Sequence, residues 1–457
     1  MRLRPALPNV PWYLGLPAAA AGLIFMVCTV AGASSLQTGT AAARSVTGLL
    51  MVLPLLLTLF LLQKEDCPAM TLFLLLLPVA LSLYLRLLFL DHQTHDYQTF
   101  LAQWAAFFRD NGGFAALKEP VGNYNVPYLY FLAAISYLPV PDLYLIKIGS
   151  ILCDVLLAWG GLRLTRQFTR ENSPAPLICF GLLFLLPTVL LNGACWAQCD
   201  SLYTALILLS LSSVLEDRPK TSVLLLALAF SFKLQTVFVI PLWCVFWFTG
   251  RVKFRHLLLF PAGYAVTILP ALALGKPLRD ILGIYVGQMG EHETYLTLNA
   301  SSVFAFLPYQ AQVDTALLST LGIIAAFALV FAVLGAMFFL RRRVTDQTIL
   351  AAAAVLALGV PFLLPHMHER YFFPAGMLAL VWACTDTRRV PIAALAELSS
   401  LSCYSTYLRL QYTLPLLIGG RYYVMAFEAA LILAALVWSI AAWIRLLTSK
   451  SESSNSV

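Results

Sequence analysis

Long apolar segments alternate with short polar segments along almost the entire chain. An apolar segment of about 17–25 residues can cross roughly 30 Å of hydrocarbon as an α-helix, which satisfies its own backbone hydrogen bonds in lipid. The pattern therefore predicts an all-α, polytopic membrane protein with about fourteen membrane-spanning helices. Their approximate ranges are 12–33, 46–63, 70–90, 142–163, 175–193, 201–215, 221–249 as two short helices, 256–275, 314–340, 347–363, 371–385, 390–411 and 424–445.

The apolar run 221–249 is too long for one ordinary crossing and contains Lys233 near its middle. The basic segment Arg251–His256 follows it, and a single crossing would place these cations outside, against the cytoplasmic bias of Lys and Arg. We therefore predict a break at Phe232–Gln235, with Lys233 at the outer end of two short antiparallel helices. Non-helical backbone at that depth requires a protein-lined or water-filled cavity.

Composition agrees with a membrane protein and restricts the function further. Of 457 residues, 60% are hydrophobic and 11% are charged, which is about half the charged fraction of soluble domains. The net charge of +7 comes largely from short Lys and Arg clusters between apolar segments, a pattern typical of cytoplasmic loops rather than of nucleic-acid-binding surfaces. The nine cysteines contain no CxxC pair, and we interpret them as packing residues.

The basic clusters also predict the orientation of the chain. Arg2 and Arg4 place the N-terminus in the cytoplasm, and alternating spans place the Ser-rich C-terminus there as well. Ionisable groups beside membrane spans usually serve function, so the outward-facing polar segments together predict a site on the extracytoplasmic side. These segments are Asp91–Asn125, Trp196–Asp200, Lys233 with Gln235, about 276–302, and His366–Arg370.

The loop after the third predicted span contains Asp91 and Asp96, followed by Phe100, Trp104 and Phe107 at helical spacing. This spacing predicts an amphipathic helix in the outer membrane interface, with Asp96 at its N-terminal end. A carboxylate in this position could act as a general base towards a hydroxyl group. The alternative interpretation is that both aspartates cap helices.

Two further segments carry amides, aromatic rings and a carboxylate. Gly122–Tyr130 contains Asn123, Tyr124 and Asn125, and its rings are suited either to stacking on sugars or to an ordinary interfacial belt. Trp196–Asp200 contributes an indole, the Gln198 amide and the Asp200 carboxylate, which could instead cap the following helix.

Cationic and hydrogen-bonding residues suited to a phosphate group form a third set. Its members are Lys233, Gln235, His366, His368 and Arg370. A lone Lys such as Lys233 could instead extend to lipid headgroups. This explanation fits His366–Arg370 less well, because two His and one Arg lie within five residues.

A metal site is a less favoured alternative, because no spacing among the outward-facing ligand types fixes a coordination geometry. The residues concerned are His92, His95, Glu291, His292, Glu293, His366 and His368. The chain also has no glycine-rich phosphate loop, no dinucleotide-binding fingerprint and no large cytoplasmic segment. An activated donor substrate would therefore have to be available within the membrane, which favours a lipid-linked donor.

Taken in order, five short motifs resemble the GT-C superfamily of integral-membrane glycosyltransferases, which use polyprenyl-phosphate sugars. The closest pattern is that of bacterial proteins related to the glycosylphosphatidylinositol-anchor mannosyltransferases, with a more distant likeness to dolichyl-phosphate-glucose-dependent glucosyltransferases. The likeness covers about residues 70–390. The matching segments are His95–Phe100 with Trp104, Trp196–Asp200 (W-G-Q-x-D), Lys233–Gln235 (K-P-Q), Leu298–Ser301 (a loop with Asn-Ala) and His368–Tyr371 (H-E-[RK]). The chain departs from the family pattern at Ala197, Leu234 and Ser302.

The resemblance implies an inverting transfer of a mannose- or glucose-type hexose from polyprenyl phosphate to a glycan or lipid-linked acceptor, with no required cofactor. Asp96 is the implied base, and the phosphate-binding set given above is implied to hold the donor. The implied substrate contacts are Asp91, His95, Tyr97, Trp104, Asn123, Tyr124, Asn125, Trp196, Gln198, Asp200, Asn299 and Glu369. The alternative function is transport or flipping of a lipid-linked glycan, because transporters also use interrupted helices.

The resemblance also divides the chain. Residues 1–69 are expected to be additional N-terminal membrane helices, and residues 70–300 a catalytic membrane module whose first outer loop is about 91–126. Residues 301–446 are expected to form a C-terminal membrane module that carries the His366–Arg370 motif, and 447–457 a disordered cytoplasmic tail. A bacterial plasma membrane is the expected location.

Overall fold

The computed structural model describes residues 4–290, 294–307, 313–408 and 421–449. These ranges are mostly helical. The α-helices are Trp12–Gly32, Ala41–Leu50, Leu53–Lys64, Ala69–Leu87, Ala102–Asp110, Val126–Ile135, Asp142–Arg166, Ala175–Leu185, Pro187–Leu190, Asp200–Leu215, Pro219–Phe232, Leu242–Phe248, Phe254–Leu257, Leu259–Ala273, Leu278–Gly290, Thr315–Phe339, Asp346–Leu363, Phe373–Thr385, Val390–Leu408 and Arg421–Thr448. Residues 450–457, most of the predicted tail, lie outside the described ranges.

Within the described ranges, eight helices are long and apolar enough to cross a membrane, or nine if one bent pair forms a single span. The eight are Trp12–Ser35, Ala41–Lys64, Ala69–Leu87, Asp142–Arg166, Phe254–Ala273, Thr315–Phe339, Asp346–Leu363 and Tyr423–Thr448. Each matches a predicted span to within a few residues. The all-α, multi-pass membrane class is confirmed, whereas the count of about fourteen stays a prediction.

The predicted break near Lys233 is confirmed. The helix Pro219–Phe232 ends directly before Lys233, and the 3₁₀ turn Leu234–Phe238 follows. The second half is more irregular than predicted, because its α-helix is limited to Leu242–Phe248 and begins after Pro241. Proline disfavours helical backbone in the residue before it. Seven residues rise only about 10 Å as an α-helix, which is too short to cross a bilayer.

The predicted span 175–193 consists of two helices bent by 45°. Ala175–Leu185 ends before Pro187, which has no N–H to continue the helical ladder. A short α-helix, Pro187–Leu190, then continues as the π-helix Leu191–Cys195. π-helical turns inside helices often occur at functional sites, and this one leads directly into the Trp196–Asp200 motif.

The described residues form two compact units. The first is built from Met1–Ser212, Leu224–Leu234 and Phe260–Gln288, and the second from Ser213–Val223, Gln235–Leu259 and Met289–Val457.

In the first unit, the helix Trp12–Gly32 packs closely along Ala69–Leu87. Gly22 permits this contact, because a Cβ atom there would lie 2.9 Å from the Leu76 carbonyl oxygen. Small residues at such positions let helix backbones approach within a membrane.

In the second unit, Asp346–Leu363 is buried along almost its whole length and packs against Thr315–Phe339, Phe373–Thr385 and Arg421–Thr448. Two short strands lie beside this bundle. Thr297–Leu298 pairs in parallel with Met367–His368, with Thr297 opposite Met367 and Leu298 opposite His368. This pairing fixes one predicted motif segment against another.

Candidate functional site

Asp96 lies at the N-terminal end of a helical segment, as predicted. The segment begins as the π-helix Tyr97–Leu101 and continues as the α-helix Ala102–Asp110. The Asp96 carboxylate is partly exposed, and its Oδ2 atom accepts hydrogen bonds from Trp196 Nε1 at 3.0 Å and Gln198 Nε2 at 3.2 Å. Two motifs separated by about a hundred residues therefore meet at one carboxylate oxygen.

The turn that carries Trp196 and Gln198 has an unusual backbone conformation. Ala197 has a φ of +65°, in the left-handed region that favours glycine. Backbone hydrogen bonds hold the turn, from Trp196 N–H to the Leu191 carbonyl at 2.8 Å and from Gln198 N–H to the Asn192 carbonyl at 2.9 Å. The side chains on either side of Ala197 can then both reach Asp96.

Gln198 links Asp96 to the aromatic loop. Its Oε1 accepts a hydrogen bond from the Tyr124 hydroxyl at 3.0 Å, while its amide nitrogen donates to Asp96. Gln198 is only 3% exposed, so its amide has a fixed environment. The predicted residues Asp96, Tyr124, Trp196 and Gln198 are thus brought together.

An aromatic row extends from Tyr124 towards the surface. Its ring centroids are 5.4 Å apart between Tyr124 and Trp104 and 6.0 Å apart between Trp104 and Phe100, which is 41% exposed. Gly122 has a φ of +65°, and a Cβ atom there would lie 2.8 Å from the Trp104 ring. The loop backbone therefore packs directly against the indole and fixes its position.

Asp200 and Lys233 form a buried ion pair. The Lys233 ammonium donates to Asp200 Oδ1 at 2.5 Å, and Asn192 Nδ2 donates to Asp200 Oδ2 at 2.8 Å. Asp200 is fully buried and Lys233 is 7% exposed. The ammonium also lies 5.7 Å from the centre of the Tyr124 ring. Asp200 is the first residue of the helix Asp200–Leu215. The ion pair therefore holds the start of this helix against the segment that carries Lys233. Asn192 was missed, because it lies inside an apolar run.

A second buried ion pair, which was not predicted from the sequence, is linked to the first through Ser201. Arg86 Nη2 lies 3.0 Å from Asp154 Oδ2, and both side chains are completely buried. Ser201, the residue after Asp200, donates to Asp154 Oδ1 at 2.6 Å. The ring of Phe184 lies 4.3 Å from the Arg86 guanidinium carbon. Arg86 and Asp154 are separated by 68 residues, so their pairing left no signal in the sequence.

Lys147 holds the start of the loop that carries Asp96. Its ammonium donates to the carbonyl oxygens of Phe89 at 2.7 Å, Leu90 at 3.0 Å and His92 at 2.6 Å. These carbonyls follow the end of Ala69–Leu87, where a cation complements the helix dipole. Lys147 was also missed, because it is a lone cation in an apolar run.

Asp91 contacts protein groups rather than an open cavity. Its carboxylate accepts hydrogen bonds from the Tyr144 hydroxyl at 2.5 Å and from the Gln37 backbone N–H at 3.1 Å. Neither contact is a helix cap for the following segment. The contacts favour a role in holding the loop, and direct substrate binding by Asp91 stays a prediction.

Asn125, like Asp91, contacts other protein groups, and it is only 1% exposed. Its Oδ1 accepts from the Val126 N–H at 2.8 Å, and its Nδ2 donates to the hydroxyls of Tyr264 at 3.3 Å and Tyr285 at 3.2 Å. The neighbouring Asn123 carbonyl accepts from the Gln288 amide. These bonds position the aromatic loop.

Burial shifts the pKa values of two groups beside Asp96. Burial, with a smaller effect of the Asp142 charge, raises the pKa of Tyr97 to about 12, so its hydroxyl stays protonated. Burial, followed by the Lys147 charge, lowers the pKa of His92, so its imidazole stays neutral at pH 7. His95 is exposed and lies 3.4 Å from the Thr99 hydroxyl.

In the second unit, His366 is held by both ring nitrogens. Its Nδ1 lies 2.6 Å from the Tyr295 carbonyl oxygen and therefore carries a proton, and its Nε2 lies 3.2 Å from the Ser319 hydroxyl. The backbone of His366 has a φ of +61°, and its N–H donates to the Leu296 carbonyl at 2.9 Å.

Asn299 and His368 are brought together by an antiparallel bridge that continues the strand pair. Asn299 has a φ of +59°, and its Nδ2 donates to the Cys403 carbonyl at 3.3 Å. Its buried Oδ1 has no hydrogen-bond partner among the described residues. Two predicted motifs are thus adjacent within this unit.

The remaining motif residues form a small cluster. The His368 ring centroid lies 5.3 Å from that of Tyr371, and the Arg370 guanidinium carbon lies 5.9 Å from the Tyr371 ring. Glu369 is 3% exposed, and its Oε1 lies 3.9 Å from Arg370 Nη1. Gln235 is partly exposed in its 3₁₀ turn.

Across ranges 4–290, 294–307, 313–408 and 421–449, no group of three His, Cys, Asp or Glu side chains is arranged to hold a metal ion. The metal alternative also used Glu291, His292 and Glu293, which lie outside the described residues. Comparison of the chain with protein-family models and with curated proteins finds no match.

Proposed function

We propose that the chain is an inverting glycosyltransferase of the GT-C type. It moves a mannose- or glucose-type hexose from polyprenyl phosphate to an acceptor hydroxyl at the outer face of a bacterial plasma membrane. The observation that carries this proposal is the partly exposed Asp96 carboxylate, whose Oδ2 atom is bound by both Trp196 and Gln198.

The proposed base is Asp96. Its carboxylate removes the proton of the acceptor hydroxyl while that oxygen attacks the anomeric carbon of the donor sugar. The bond from the anomeric carbon to the phosphate oxygen breaks, and polyprenyl phosphate leaves with the bonding electrons. One displacement inverts the anomeric configuration. The two N–H donors orient the carboxylate, which is the requirement for proton transfer in a defined direction.

The aromatic row supports a carbohydrate acceptor. Phe100, Trp104 and Tyr124 present rings next to the Gln198 amide, and the amide contacts Asp96. Aromatic rings offer an apolar face to the C–H groups of a sugar ring. An acceptor sugar stacked there would have its hydroxyls near the proposed base.

The motif resemblance implies two groups of donor-phosphate ligands, which are Lys233 in the first unit and Gln235, His366, His368 and Arg370 in the second. A phosphate at Lys233 would share the ammonium with Asp200, since these two groups form a buried pair. Cationic and N–H donors stabilise the charge that develops on a leaving phosphate. No metal ion is required by this scheme.

The experiment uses purified protein in lipid nanodiscs with a panel of radiolabelled polyprenyl-phosphate sugars, and follows the release of free polyprenyl phosphate. Asp96→Asn should lower turnover at least about a hundredfold, because a general base typically contributes that much or more. Asp110→Asn, an exposed change on the same helical segment, is the matched control and should retain activity. Full turnover by Asp96→Asn would exclude Asp96 as the base.

A lipid-linked glycan flippase is the second candidate, and the 45° break between Ala175–Leu185 and Pro187–Cys195 favours it. The same nanodisc preparation distinguishes the two. Movement of an intact lipid-linked glycan between leaflets, without cleavage of the sugar–phosphate bond, would favour the flippase. Loss of activity on chelation would require a metal ion that the proposal does not include.

A further inference from the structure

Three arginines of the second unit surround two adjoining cavities. The cavities have volumes of about 380 and 370 Å³ and share Arg389, Trp438 and Arg445 as lining residues, while Arg388 lines one of them. The arginines come from the turn Thr387–Arg389 and from the last turns of Arg421–Thr448. We call this feature the basic pocket.

The basic pocket has an excess of positive charge. Arg388 Nε and Arg389 Nε lie 2.8 and 3.1 Å from the carboxylate of Asp386. Arg445 is exposed and forms no ion pair with any residue of the described ranges. Burial alone would raise the pKa of Asp386, but hydrogen bonds from Arg388 and the charge of Arg389 hold it below its ordinary value. Among the described residues that line the pocket or pair with its arginines, one carboxylate therefore balances three guanidinium groups.

The helix Arg421–Thr448, which carries Arg445, also presents an apolar strip next to the basic pocket. Ala434, Val437, Trp438 and Ala441 line it at helical spacing, and Val437 and Trp438 are 57% and 44% exposed. Tryptophan commonly lies at the level of lipid headgroups, and small residues beside it leave room for an acyl chain. A cation cluster at one end of an apolar strip matches an amphipathic ligand.

We infer that the basic pocket binds the phosphodiester headgroup of an acidic phospholipid, with an acyl chain along the Ala434–Ala441 strip. Guanidinium groups match phosphate oxygens in geometry and charge. The apolar strip favours a lipid over a soluble phosphate. Charge bias predicts that Arg388 and Arg389 face the cytoplasm, whereas the proposed donor site faces outward, so a phospholipid is favoured over polyprenyl phosphate.

The test is lipid binding by full-length protein in neutral detergent, measured by native mass spectrometry with phosphatidylglycerol and phosphatidylcholine. Arg445→Gln should weaken phosphatidylglycerol binding about fivefold, the expected effect of one cation on an acidic lipid. Arg255→Gln, an equal charge change at another exposed arginine of this unit, is the control and should have no effect.

A second variant, Ala441→Leu, fills the apolar strip without changing the charge and should also weaken phosphatidylglycerol binding. The inference is overturned by any of four results. These are equal losses in Arg255→Gln and Arg445→Gln, equal binding of phosphatidylcholine, displacement of the lipid by millimolar inorganic phosphate, or tighter binding of polyprenyl phosphate at this pocket.

Discussion

At the scale of single residues, Ala197 has the conformation least suited to its side chain. Its φ of +65° costs an L-residue about 1–2 kcal/mol relative to right-handed backbone. The same turn directs Trp196 and Gln198 to one carboxylate. The family that the motif resembles has glycine here, and the backbone conformation gives that choice a physical reason.

Ala197→Gly should therefore stabilise the protein by about 0.5–1 kcal/mol, since relief of the strain exceeds the added entropy of the unfolded glycine. The thermal unfolding midpoint in detergent measures this, and turnover should be retained. Ala194→Gly is the matched control, because Ala194 is equally buried but lies within the π-helix Leu191–Cys195. It should lose stability. Equal destabilisation by both changes would contradict the strain argument.

Gln198→Leu should reduce turnover while leaving the fold intact. Leucine has a similar size but loses the bonds to Asp96 and Tyr124. A hydrogen bond to a charged group contributes about 1.5–3 kcal/mol, which corresponds to roughly a tenfold to hundredfold lower kcat. Separate measurement of kcat and KM tests this. A change confined to KM would show that Gln198 binds substrate and does not position the base.

At the scale of elements, two buried ion pairs connect neighbouring helices. Arg86–Asp154 joins Ala69–Leu87 to Asp142–Arg166, and Asp200–Lys233 joins Asp200–Leu215 to the end of Pro219–Phe232. Breaking a buried pair leaves one charge without compensation, whereas replacing both partners by apolar groups is often tolerated.

Arg86→Met alone should destabilise the protein by about 3–5 kcal/mol, because Asp154 keeps a buried charge. Arg86→Met combined with Asp154→Leu should recover much of that loss. Unfolding midpoints of the two single variants and the double variant form the required cycle. Additive losses in the double variant would mean that the two side chains do not act as a pair.

The elements also show what the sequence could and could not predict. Apolar segment lengths and basic clusters were sufficient to locate eight membrane helices to within a few residues and the break at Lys233, because lipid imposes those lengths. The predicted topology put Asp96 and Trp196–Asp200 on the same face of the membrane, but the hydrogen bonds between them were not predicted. Lys147 and Arg86 were not found, because each is a lone cation whose partners come from distant segments. Pairing across a helix bundle depends on tertiary packing, which periodicity does not encode.

At the scale of the whole molecule, the distribution of cations predicts the orientation of the chain in the membrane. The Lys and Arg clusters place the turn at Ser35 and the break at Gln235 outside, and the turn at Glu171 inside. The proposed chemistry depends on this orientation, because a lipid-linked donor at the outer leaflet must reach Asp96 from that side.

Ser35→Cys and Gln235→Cys should react with a membrane-impermeant maleimide in intact cells, whereas Glu171→Cys should react only after the membrane is opened. The starting variant replaces Cys28 and Cys244, the exposed native cysteines of the described ranges, so that background labelling is low. For each variant, labelling in intact cells is divided by labelling in opened membranes. This ratio removes differences in local accessibility between the three positions. Labelling of Gln235→Cys only in opened membranes would place Lys233 on the cytoplasmic side and remove the basis for an outer active site.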